Sequence, residues 1–571
     1  MKTFYKTILK ELTRITDLKD IKLETPPDDK LGDLAFPCFQ LSKQLKKAPK
    51  DIAEKLAKDF NIKMPVKEIK VVGSYLNFYV DKTALTKETL KNIQKQKEKY
   101  GSQNIGKRKK IVIDFSSPNI AKPFGIGHLR STVIGNSIYR TLAFLNYKPI
   151  GVNHLGDWGT QFGKMIYAYQ KWGPPSANDN SEKEKFKRAP ISYLYSLYVK
   201  FHQEAKINPE LEKHGKEWFK KLEEGDQKAT KLWEMFRKLS LNEFKRYYEE
   251  LNINFDSYSG EAFYNKMLEK TVKVFEKKKL TEISENALIV PLRDMPPLML
   301  KKSDKATTYA TRDLAAAMFR IKEYKPEKLL YVVGTPQQLH FQQLFTTLNM
   351  AGYKKEMFEH INFGHLNFKD GKMSTRDGNI IFLKEVLDKS IQLALQTIKN
   401  KNPDLKNKEK VAKVIGIGAV IFADLCNDRI KDVIFDWDKI LNYEGETAPY
   451  IQYAYARICS ILRKSENKPV RKILGKGKHY NLLSGEQEQK IIKLLANFPE
   501  TVKETAAAYK PSILARYSLD LAQAFNEFYH ACPILKAQPE QMHIRLELIE
   551  SVKQVLKTSM YLLGIDVVEE M

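Results

Sequence analysis

The order of apolar and polar positions predicts an α+β unit followed by the opening of a parallel sheet. Helical periodicity near Thr3–Leu12 and Ala48–Phe60, with alternation at Val71–Val80, indicates two helices and a strand. The apolar run at 111–115 leads into a loop of Ser, Pro and Gly and then into a helix from about His128. Strand, loop and helix in this order are typical of a nucleotide-binding sheet.

The rest of the chain divides into a helical insertion, further strands and a helical end. Residues 155–260 are aromatic, charged and helical in periodicity, which favours an insertion into the sheet domain. Strands alternating with helices are expected to resume at Ala287–Pro291, Leu329–Gly334 and Ile361–Phe368. From about residue 385 the pattern is helical throughout, with a break near Lys464–Gly485.

These elements predict an α/β fold in several domains, since 571 residues exceed what one hydrophobic core supports. The catalytic domain is expected to be a Rossmann-like parallel sheet with a helical insertion, between an N-terminal α+β domain and a C-terminal all-helical domain. The predicted bounds are 1–106, 107–395 with the insertion at about 155–260, a helical connector at 396–440, and 441–571.

Composition excludes several classes of protein. A hydrophobic fraction of 43% and a charged fraction of 29% are ordinary for a globular chain, and no apolar run is long enough to span a membrane. The first thirty residues lack a signal peptide, because Lys6, Lys10 and Glu11 interrupt the apolar positions. We therefore predict a cytoplasmic protein. The four cysteines are far apart and lack a nearby histidine pair, so neither disulfides nor a metal site are predicted.

The net charge of +27, from 96 basic against 69 acidic side chains, changes the expected partners. An excess spread along the chain favours binding to a long polyanion, because each neutralised phosphate releases counterions. A lysine-rich proteome would produce the same excess, so charge alone leaves both interpretations open.

The first candidate for chemistry is the segment Ser116–Leu129, which contains Lys122, Gly125, Gly127 and His128. The N-terminus of a helix suits a phosphate, and Gly127 lets a flat adenine approach the backbone. His128 can donate to a phosphate oxygen, and Lys122 adds a cation. Alone, the segment also fits an ordinary turn between a strand and a helix.

The second candidate is the basic loop Gly371–Gly378, with the sequence GKMSTRDG. Its Lys372 and Arg376 could neutralise a departing pyrophosphate, since phosphoryl transfer needs mainly positioning and charge. Alone, it also fits a charged surface turn.

The third candidate is the helix start Tyr309–Asp313, with Leu314, Ala317, Met318 and Ile321 predicted to face a core. Tyr309 and Asp313 are four residues apart and share one face. A carboxylate beside an aromatic ring suits a guanidinium group. Alone, Asp313 also fits an acid that stabilises the helix dipole.

Taken together, these segments resemble the arginyl-tRNA synthetases over essentially the whole chain. Ser116–Leu129 resembles the family's form of the class I HIGH motif, and Gly371–Gly378 resembles its KMSK loop. Three further stretches are nearly diagnostic of the family, His154–Gly163, Tyr309–Ala315 and Tyr450–Arg457. Five matches in order make chance agreement negligible.

The resemblance implies the reaction and the residues that carry it. Arginine and ATP would give an adenylate, with Mg²⁺ accompanying ATP, and the tRNA ribose would then take the arginyl group; family members generally need tRNA for the first step as well. The implied arginine site contains Asp114, Ser117, Asn119, His128, Tyr309, Asp313 and Gln337. The implied ATP site contains Gly125, Gly127, His128, Lys372, Met373 and Ser374, and Lys122, His128, Lys372 and Arg376 are the implied catalytic residues.

The same resemblance assigns the outer domains. Residues 1–106 resemble the domain that touches the corner of tRNA, and residues 441–571 resemble the anticodon-binding domain, with Tyr450, Tyr453 and Arg457 as candidate tRNA contacts. The partners implied are tRNA(Arg), L-arginine and ATP, no membrane is implied, and a monomer is expected.

The motifs depart from the family pattern at two positions. Gly125 replaces the first histidine of HIGH, and Thr375 replaces the last lysine of KMSK, a change for which Lys122 is expected to compensate. Two other functions stay open. Gly125 favours a catalytically impaired tRNA-binding paralogue, whereas the sheet domain alone would fit an ATP-dependent ligase for a small acceptor.

Overall fold

The computed structural model describes residues 2–18, 20–174, 180–368, 382–442, 444–466 and 479–571. In the N-terminal unit, helices α1 and α3 pack against an antiparallel sheet of order β1-β3-β2, α2 packs on α3, and α4 packs against the helical C-terminal part. Its helices are Lys2–Thr16, Phe39–Leu45, Pro49–Asp59 and Lys82–Gln96, and its strands β1–β3 are Leu34–Pro37, Val66–Val72 and Tyr75–Val80. The prediction of one strand at Val71–Val80 was wrong, because Gly73 turns the chain at φ +58° and makes a hairpin.

The centre of the chain is a four-stranded parallel sheet of order β10-β9-β4-β5. Its strands are β4 Lys110–Asp114, β5 Lys148–Val152, β9 Lys328–Tyr331 and β10 Phe358–His360, and its crossover helices include α5 Ile126–Phe144, α12 Tyr309–Tyr324 and α13 Gln338–Met350. Helix α12 begins where the Thr308 side chain accepts a hydrogen bond from the N–H of Thr311. The expected core positions of α12 are confirmed: Leu314 and Ala317 are buried, and Met318 and Ile321 pack against the same cluster.

Helices fill the chain between β5 and residue 250, as the aromatic and charged pattern predicted. They are α6 Thr160–Trp172, α7 Asn180–Arg188, α8 Pro190–Ile207, α9 Glu210–Glu223 and α10 Gln227–Glu250. Helix α11 Leu268–Lys277 follows, and then a separate antiparallel sheet of β6 Glu282–Ser284, β7 Ala287–Val290 and β8 Leu298–Lys301. The strand at 287–290 therefore exists, but the expectation that it joins the parallel sheet was wrong.

Two further expectations about strands were wrong. The segment Ile361–Phe368 is not one strand: β10 ends at His360, and a new strand β11, Leu366–Phe368, pairs with β12, Val433–Phe435. Strand β12 also interrupts the stretch that was expected to be helical from residue 385 onward.

The remainder of the chain is helical. Its helices are α14 Leu383–Lys401, α15 Lys408–Leu425, α16 Trp437–Ile440, α17 Ala448–Glu466, α18 Glu486–Ala508, α19 Pro511–Ala531 and α20 Pro539–Leu562. The predicted break near Lys464–Gly485 lies largely outside the described residues. The N-terminal unit docks on this helical part, where the Tyr100 hydroxyl donates to the Leu495 carbonyl at 2.8 Å. The predicted fold class is confirmed: a parallel-sheet domain with flanking α+β and helical domains.

Two further observations concern the cysteines and the character of the helices. All four cysteines are free thiols, and Cys38 and Cys459 are buried. Within the ranges described above, no helix combines the length and apolar character needed to cross a membrane.

Candidate active site

The site lies where the strand order of the parallel sheet reverses. From β4 the chain crosses to β5 on one side, and β9 later pairs with β4 on the other side. The loops after β4 and β9 diverge at the carboxyl edge of the sheet, which is where open α/β sheets bind ligands. Of the predicted residues, Asp114 is the last residue of β4, Ser117 and Asn119 follow β4, and Gln337 follows β9.

The loop between β4 and α5 has an unusual backbone. Ser116, Ser117 and Ala121 have positive φ angles of 72°, 48° and 59°. Such conformations persist only when their surroundings hold them, and they cluster at functional sites. Here the Ser116 N–H donates to Ser131 Oγ at 2.9 Å, and the Ala121 N–H donates to Ser240 Oγ at 2.8 Å. Helix α10 of the insertion, which carries Ser240, therefore shapes the loop.

The stretch His154–Gly163 holds this loop from the other side. Asn119 forms a parallel bridge with Gly156, and a Cβ at residue 156 would lie 2.0 Å from Asn119 Oδ1. The Asn119 side chain can therefore occupy its position only because residue 156 is glycine. The buried Asp157 accepts hydrogen bonds from Arg237 Nε at 3.0 Å and from the Ala262 N–H at 2.8 Å. This acid fastens the insertion to the sheet domain.

The start of α5 has the features expected of a nucleotide site. Gly125 is the N-cap, no side chain caps this end, and the helix dipole places positive charge here. Gly127 is exposed, and a Cβ built on it meets no heavy atom within 4 Å, so a flat base has room. Lys122 Nζ lies 4.5 Å from the centre of the Tyr198 ring, so α8 of the insertion orients this cation.

His128 is neutral at physiological pH. Burial, together with a smaller effect of the Lys122 cation, lowers its pKa to about 4. A backbone contact with Gly125 opposes this shift. Its Nδ1 is buried without a hydrogen-bond partner among the described residues. A neutral imidazole has one N–H donor, so His128 is suited to a single hydrogen bond with a ligand.

Asp313 lies between two histidines. His340 Nε2 donates to Asp313 Oδ2 at 2.7 Å, and His154 Nε2 lies 3.8 Å from Oδ1. Burial raises the pKa of Asp313, but the hydrogen bond and positive charge of His340 outweigh it, and the pKa lies below its ordinary value. Asp313 is therefore an ionised carboxylate, as a guanidinium site requires.

A buried arginine connects Asp313 to Asp114. Arg320 Nη1 donates to Asp114 Oδ2 at 2.7 Å, and Ser117 Oγ donates to Asp114 Oδ1 at 2.9 Å. Arg320 Nη2 lies 3.2 Å from His154 Nδ1. Since arginine only donates, Nδ1 of His154 accepts, and the proton of this ring is on Nε2, which faces Asp313.

The charges of this cluster suit one cationic group. Arg320 neutralises Asp114, and His154 is neutral because its Nδ1 accepts a hydrogen bond. Asp313 is therefore the carboxylate of this cluster that no arginine neutralises, and its charge suits a guanidinium. The Tyr309 ring lies 5.0 Å from the His340 ring and is 60% exposed, so it can still cover a ligand.

The remaining predicted residues fall into two groups. Gln337 is exposed in a short 3₁₀ turn, three residues before His340. Lys372, Met373, Ser374 and Arg376, the residues expected to act on the phosphates, lie outside the described part of the chain.

The candidate tRNA contacts form a separate site in the helical part. Arg457 lies between two rings, 4.6 Å from the centre of Tyr453 and 4.9 Å from that of Tyr529, and donates to Asn526 Oδ1 at 2.8 Å. An open cavity of about 740 Å³ is lined by Tyr450, Tyr453, Arg457 and Asn526. Tyr453 is 40% exposed, and an exposed ring beside a cation suits stacking with a nucleotide base.

Sequence reasoning missed three residues of the cluster around Asp313 and Asp114, namely Arg320, His154 and His340. A signal existed for Arg320, which follows Asp313 by seven residues and so lies on the same face of α12, two turns on. His154 is the first residue of the family-like stretch His154–Gly163, but the sequence predicted no role for it. No pattern along the chain placed His340 against Asp313.

Models of known families match nearly the whole chain. Residues 89–437 match the class I (R) tRNA synthetase catalytic domain, residues 451–571 the DALR anticodon binding domain, and residues 2–80 the arginyl tRNA synthetase N-terminal domain. Fold and site thus define a class I aminoacyl-tRNA synthetase, a ligase.

Individual relatives agree with the family models. An arginine–tRNA ligase of Clostridium botulinum is 47% identical over 568 residues, which is 99% of this chain and 98% of the relative. One of Clostridium perfringens is 46% identical and covers 99% of this chain and 100% of the relative. The arginyl-tRNA synthetase structure of Thermus thermophilus superimposes with a TM-score of 0.85 at 25% identity, covering 100% of both chains. The chain belongs to the arginyl-tRNA synthetase family.

Proposed function

We propose that this chain attaches arginine to tRNA(Arg) at the expense of ATP. The observation that carries the proposal is Asp313, an ionised carboxylate held between His340 and His154 at the carboxyl edge of the sheet. An ionised carboxylate beside an exposed tyrosine ring suits a guanidinium, and the start of α5, at the same carboxyl edge of the sheet, would receive a nucleotide.

The reaction has two steps. An oxygen of the arginine carboxylate attacks the α-phosphorus of ATP, and the bond to pyrophosphate breaks. The 2′-hydroxyl of the terminal tRNA ribose then attacks the carbonyl carbon of the arginyl-adenylate, and AMP leaves. We further propose that tRNA must be bound for the first step.

The proposed roles follow the chemistry of each side chain. Asp313 and Tyr309 hold the guanidinium, supported by Asp114, while Ser117, Asn119, His128 and Gln337 contact the rest of arginine. Gly125, Gly127, His128, Lys372, Met373 and Ser374 bind ATP. Lys122, Lys372 and Arg376 supply positive charge as pyrophosphate departs, with His128 as a neutral donor.

Mg²⁺ is proposed to enter with ATP as part of the substrate. The described residues contain no group of three His, Cys, Asp or Glu side chains placed to hold a metal ion. The phosphate oxygens of ATP and water would therefore be its ligands, as is usual for Mg²⁺ at nucleotides. Lys122, close to His128 at the same helix start, would share in neutralising the phosphates.

We propose a division of labour among the domains. Residues 1–106 contact the corner of tRNA, residues 107–395 carry out both steps, residues 396–440 connect, and residues 441–571 bind the anticodon through Tyr450, Tyr453 and Arg457. We propose that the protein acts as a monomer in the cytoplasm.

An ATP–pyrophosphate exchange assay across amino acids, with and without tRNA, tests the proposal. We expect exchange with arginine and only when tRNA is present. Exchange that depends on another amino acid would contradict the assignment. Tight tRNA binding without exchange under any condition would instead favour an impaired tRNA-binding paralogue.

A further inference from the structure

The carboxylate of Asp313 accepts a hydrogen bond from one side chain among the described residues. His340 Nε2 donates to Asp313 Oδ2 at 2.7 Å, whereas His154 Nε2 lies 3.8 Å from Oδ1, which is beyond hydrogen-bond distance. The side chain of His340 is 10% exposed, and that of Asp313 is 28% exposed. His340 therefore supports the carboxylate from inside the protein, while Asp313 keeps a face open to a ligand.

Two aromatic rings hold the imidazole of His340 in place. Its ring centre lies 5.0 Å from that of Tyr309, with an angle of 54° between the planes, and 5.3 Å from that of Phe341, with an angle of 63°. Phe341 is buried and packs on Tyr331, the last residue of β9, with 5.2 Å between the ring centres. A side chain locked by packing holds its hydrogen bond in one geometry. The Nε2–H of His340 thus points at Asp313 before any ligand arrives.

The hydrogen bond from His340 leaves Asp313 able to accept from a ligand through both oxygens. A carboxylate offers about four lone pairs, two on each oxygen, and His340 takes one of those on Oδ2. A guanidinium binds a carboxylate best through two parallel N–H···O bonds, which require the two planar groups to lie in one plane. The bond to His340 stops the carboxylate from turning about its Cβ–Cγ bond and so fixes this plane.

We propose that His340 is a positioning residue for the guanidinium of arginine. This inference rests on the proposed function, because it takes arginine as the ligand of Asp313. His340 acts through Asp313: it holds the plane of the carboxylate so that both oxygens meet one guanidinium. The same constraint favours arginine over lysine, since an ammonium group is a point charge that needs no particular carboxylate plane.

Two substitutions at this position separate hydrogen-bond donation from packing. Glutamine can place an amide donor where the imidazole Nε2–H lies, whereas leucine fills much of the same space without a donor. Pyrophosphate exchange at varied arginine concentration, with tRNA present, gives KM and kcat for each variant. We expect His340→Leu to raise the arginine KM by roughly 10–10²-fold, as for loss of a hydrogen bond to a charged group. The KM for ATP should stay within about twofold of the wild type, since uniform binding of arginine alone is lost, and His340→Gln should recover most of the arginine KM.

His360 is a matched control for the loss of a histidine beside the same rings. It lies in β10, with its ring centre 4.5 Å from that of Phe341, and its Nε2 lies 2.9 Å from the Val333 carbonyl oxygen. It has no contact with Asp313 among those described. His360→Leu should leave the arginine KM within about twofold of the wild type, because the two sites share no hydrogen bond. A rise equal to that in His340→Leu would assign the effect to packing around Phe341 and overturn the inference.

Inhibition of exchange by L-lysine tests whether orientation is lost or only electrostatic attraction. The inhibition constant of lysine should rise by at most about threefold in His340→Leu, because an ammonium group tolerates any carboxylate plane. A rise as large as that of the arginine KM would overturn the inference. So would a folded His340→Leu protein with the arginine KM of the wild type, or a His340→Gln protein as impaired as His340→Leu.

His340→Asn replaces His340→Leu in these comparisons if the leucine variant does not fold. Its shorter amide does not reach Asp313 Oδ2, so its arginine KM should exceed that of His340→Gln by the same factor of roughly 10–10². Equal arginine KM values for the asparagine and glutamine variants would overturn the inference. Absence of arginine-dependent exchange in the wild type would instead overturn the proposed function itself.

Discussion

Arg320 donates a hydrogen bond to Asp114 at 2.7 Å, although 206 residues separate them along the chain. Both side chains are buried, with exposures of 1% and 8%. Arg320, a residue of the protein itself, therefore pairs with Asp114. Asp114 and Asp313 are the two carboxylates that the family resemblance placed in the implied arginine site. In the proposed arginine site, Asp313 would therefore meet the substrate guanidinium, and Asp114 would support it through Arg320 and His154.

Arg320→Met should lower the free energy of unfolding by about 3–5 kcal/mol, because it leaves the buried Asp114 without its opposite charge. Asp114→Asn in the same chain should restore part of the loss, since the uncompensated charge is gone. Urea denaturation of both single variants and the double variant measures the coupling. Lys322→Met, which changes an exposed residue on the same helix, serves as the control. If the losses of unfolding free energy in the two single variants simply add in the double variant, Arg320 and Asp114 are not coupled.

Asp313→Asn should raise the arginine KM steeply while the protein still folds. The bound guanidinium then loses its charged partner, and removal of one partner of a buried, hydrogen-bonded charge pair costs roughly 3–5 kcal/mol. Pyrophosphate exchange at varied arginine concentration measures KM, and a thermal melt reports folding. Asp294→Asn changes an exposed acid and should have no effect. If the Asp313→Asn protein folds normally and its arginine KM is unchanged, Asp313 serves only as an acid that stabilises the start of helix α12.

Lys122→Ala should lower kcat by on the order of 10²-fold or more, comparable to the loss of an oxyanion donor. Lys200→Ala is a matched control, since Lys200 Nζ lies 5.0 Å from the Trp172 ring, a similar cation–π contact on α8 outside the site. His128→Ala should be as severe as Lys122→Ala.

Gly125→His restores the histidine that the HIGH motif lacks and should be tolerated. It should partly rescue Lys122→Ala if both side chains serve one phosphate, which a double-mutant cycle on kcat would detect. A nearly silent Lys122→Ala together with an inactive but folded Gly125→His would refute this compensation. Gly125 would then be present because the nucleotide needs the space.

His128 should titrate at about pH 4 in the folded protein. Between this value and the ordinary pKa of about 6.5, the unfolded state binds a proton that the native state does not. The group therefore stabilises the fold above pH 6.5, and this contribution is lost as the pH falls toward 4. NMR of histidine-labelled protein, with His128→Gln to assign one signal among 10 histidines, measures the pKa; a signal that titrates near 6.5 would contradict the burial argument.

Affinity for tRNA should fall steeply with salt, because the excess of +27 is spread over several domains. Displaced counterions predict a loss of about 10³-fold or more between roughly 50 and 200 mM salt if six or more phosphates are contacted. Filter binding at several salt concentrations gives the slope of the log–log plot. A flat plot would mean that the charge reflects the composition of the proteome and not contact with the polyanion.

The sequence by itself determined the parts of the site that depend on neighbouring residues. Periodicity located β4, the loop after it and α5, and it placed Tyr309 and Asp313 together at the start of α12, because local spacing decides which side chains share a face. The motifs also determined the family, since they name the chemical groups that nucleotide and guanidinium binding require. The net charge indicated a polyanion but could not exclude a lysine-rich background.

Tertiary structure alone decided which of these groups pair. Arg320 meets Asp114 because helix α12 packs on the sheet that contains β4, although the two residues are far apart along the chain, and no local pattern records such a contact. The segment Ile361–Phe368 looked like one strand because apolar and polar residues alternate on both sides of Gly364, yet β11 pairs with β12 outside the main sheet. Strand pairing depends on hydrogen bonds to a partner far along the chain, and that partner exists only once the chain has folded.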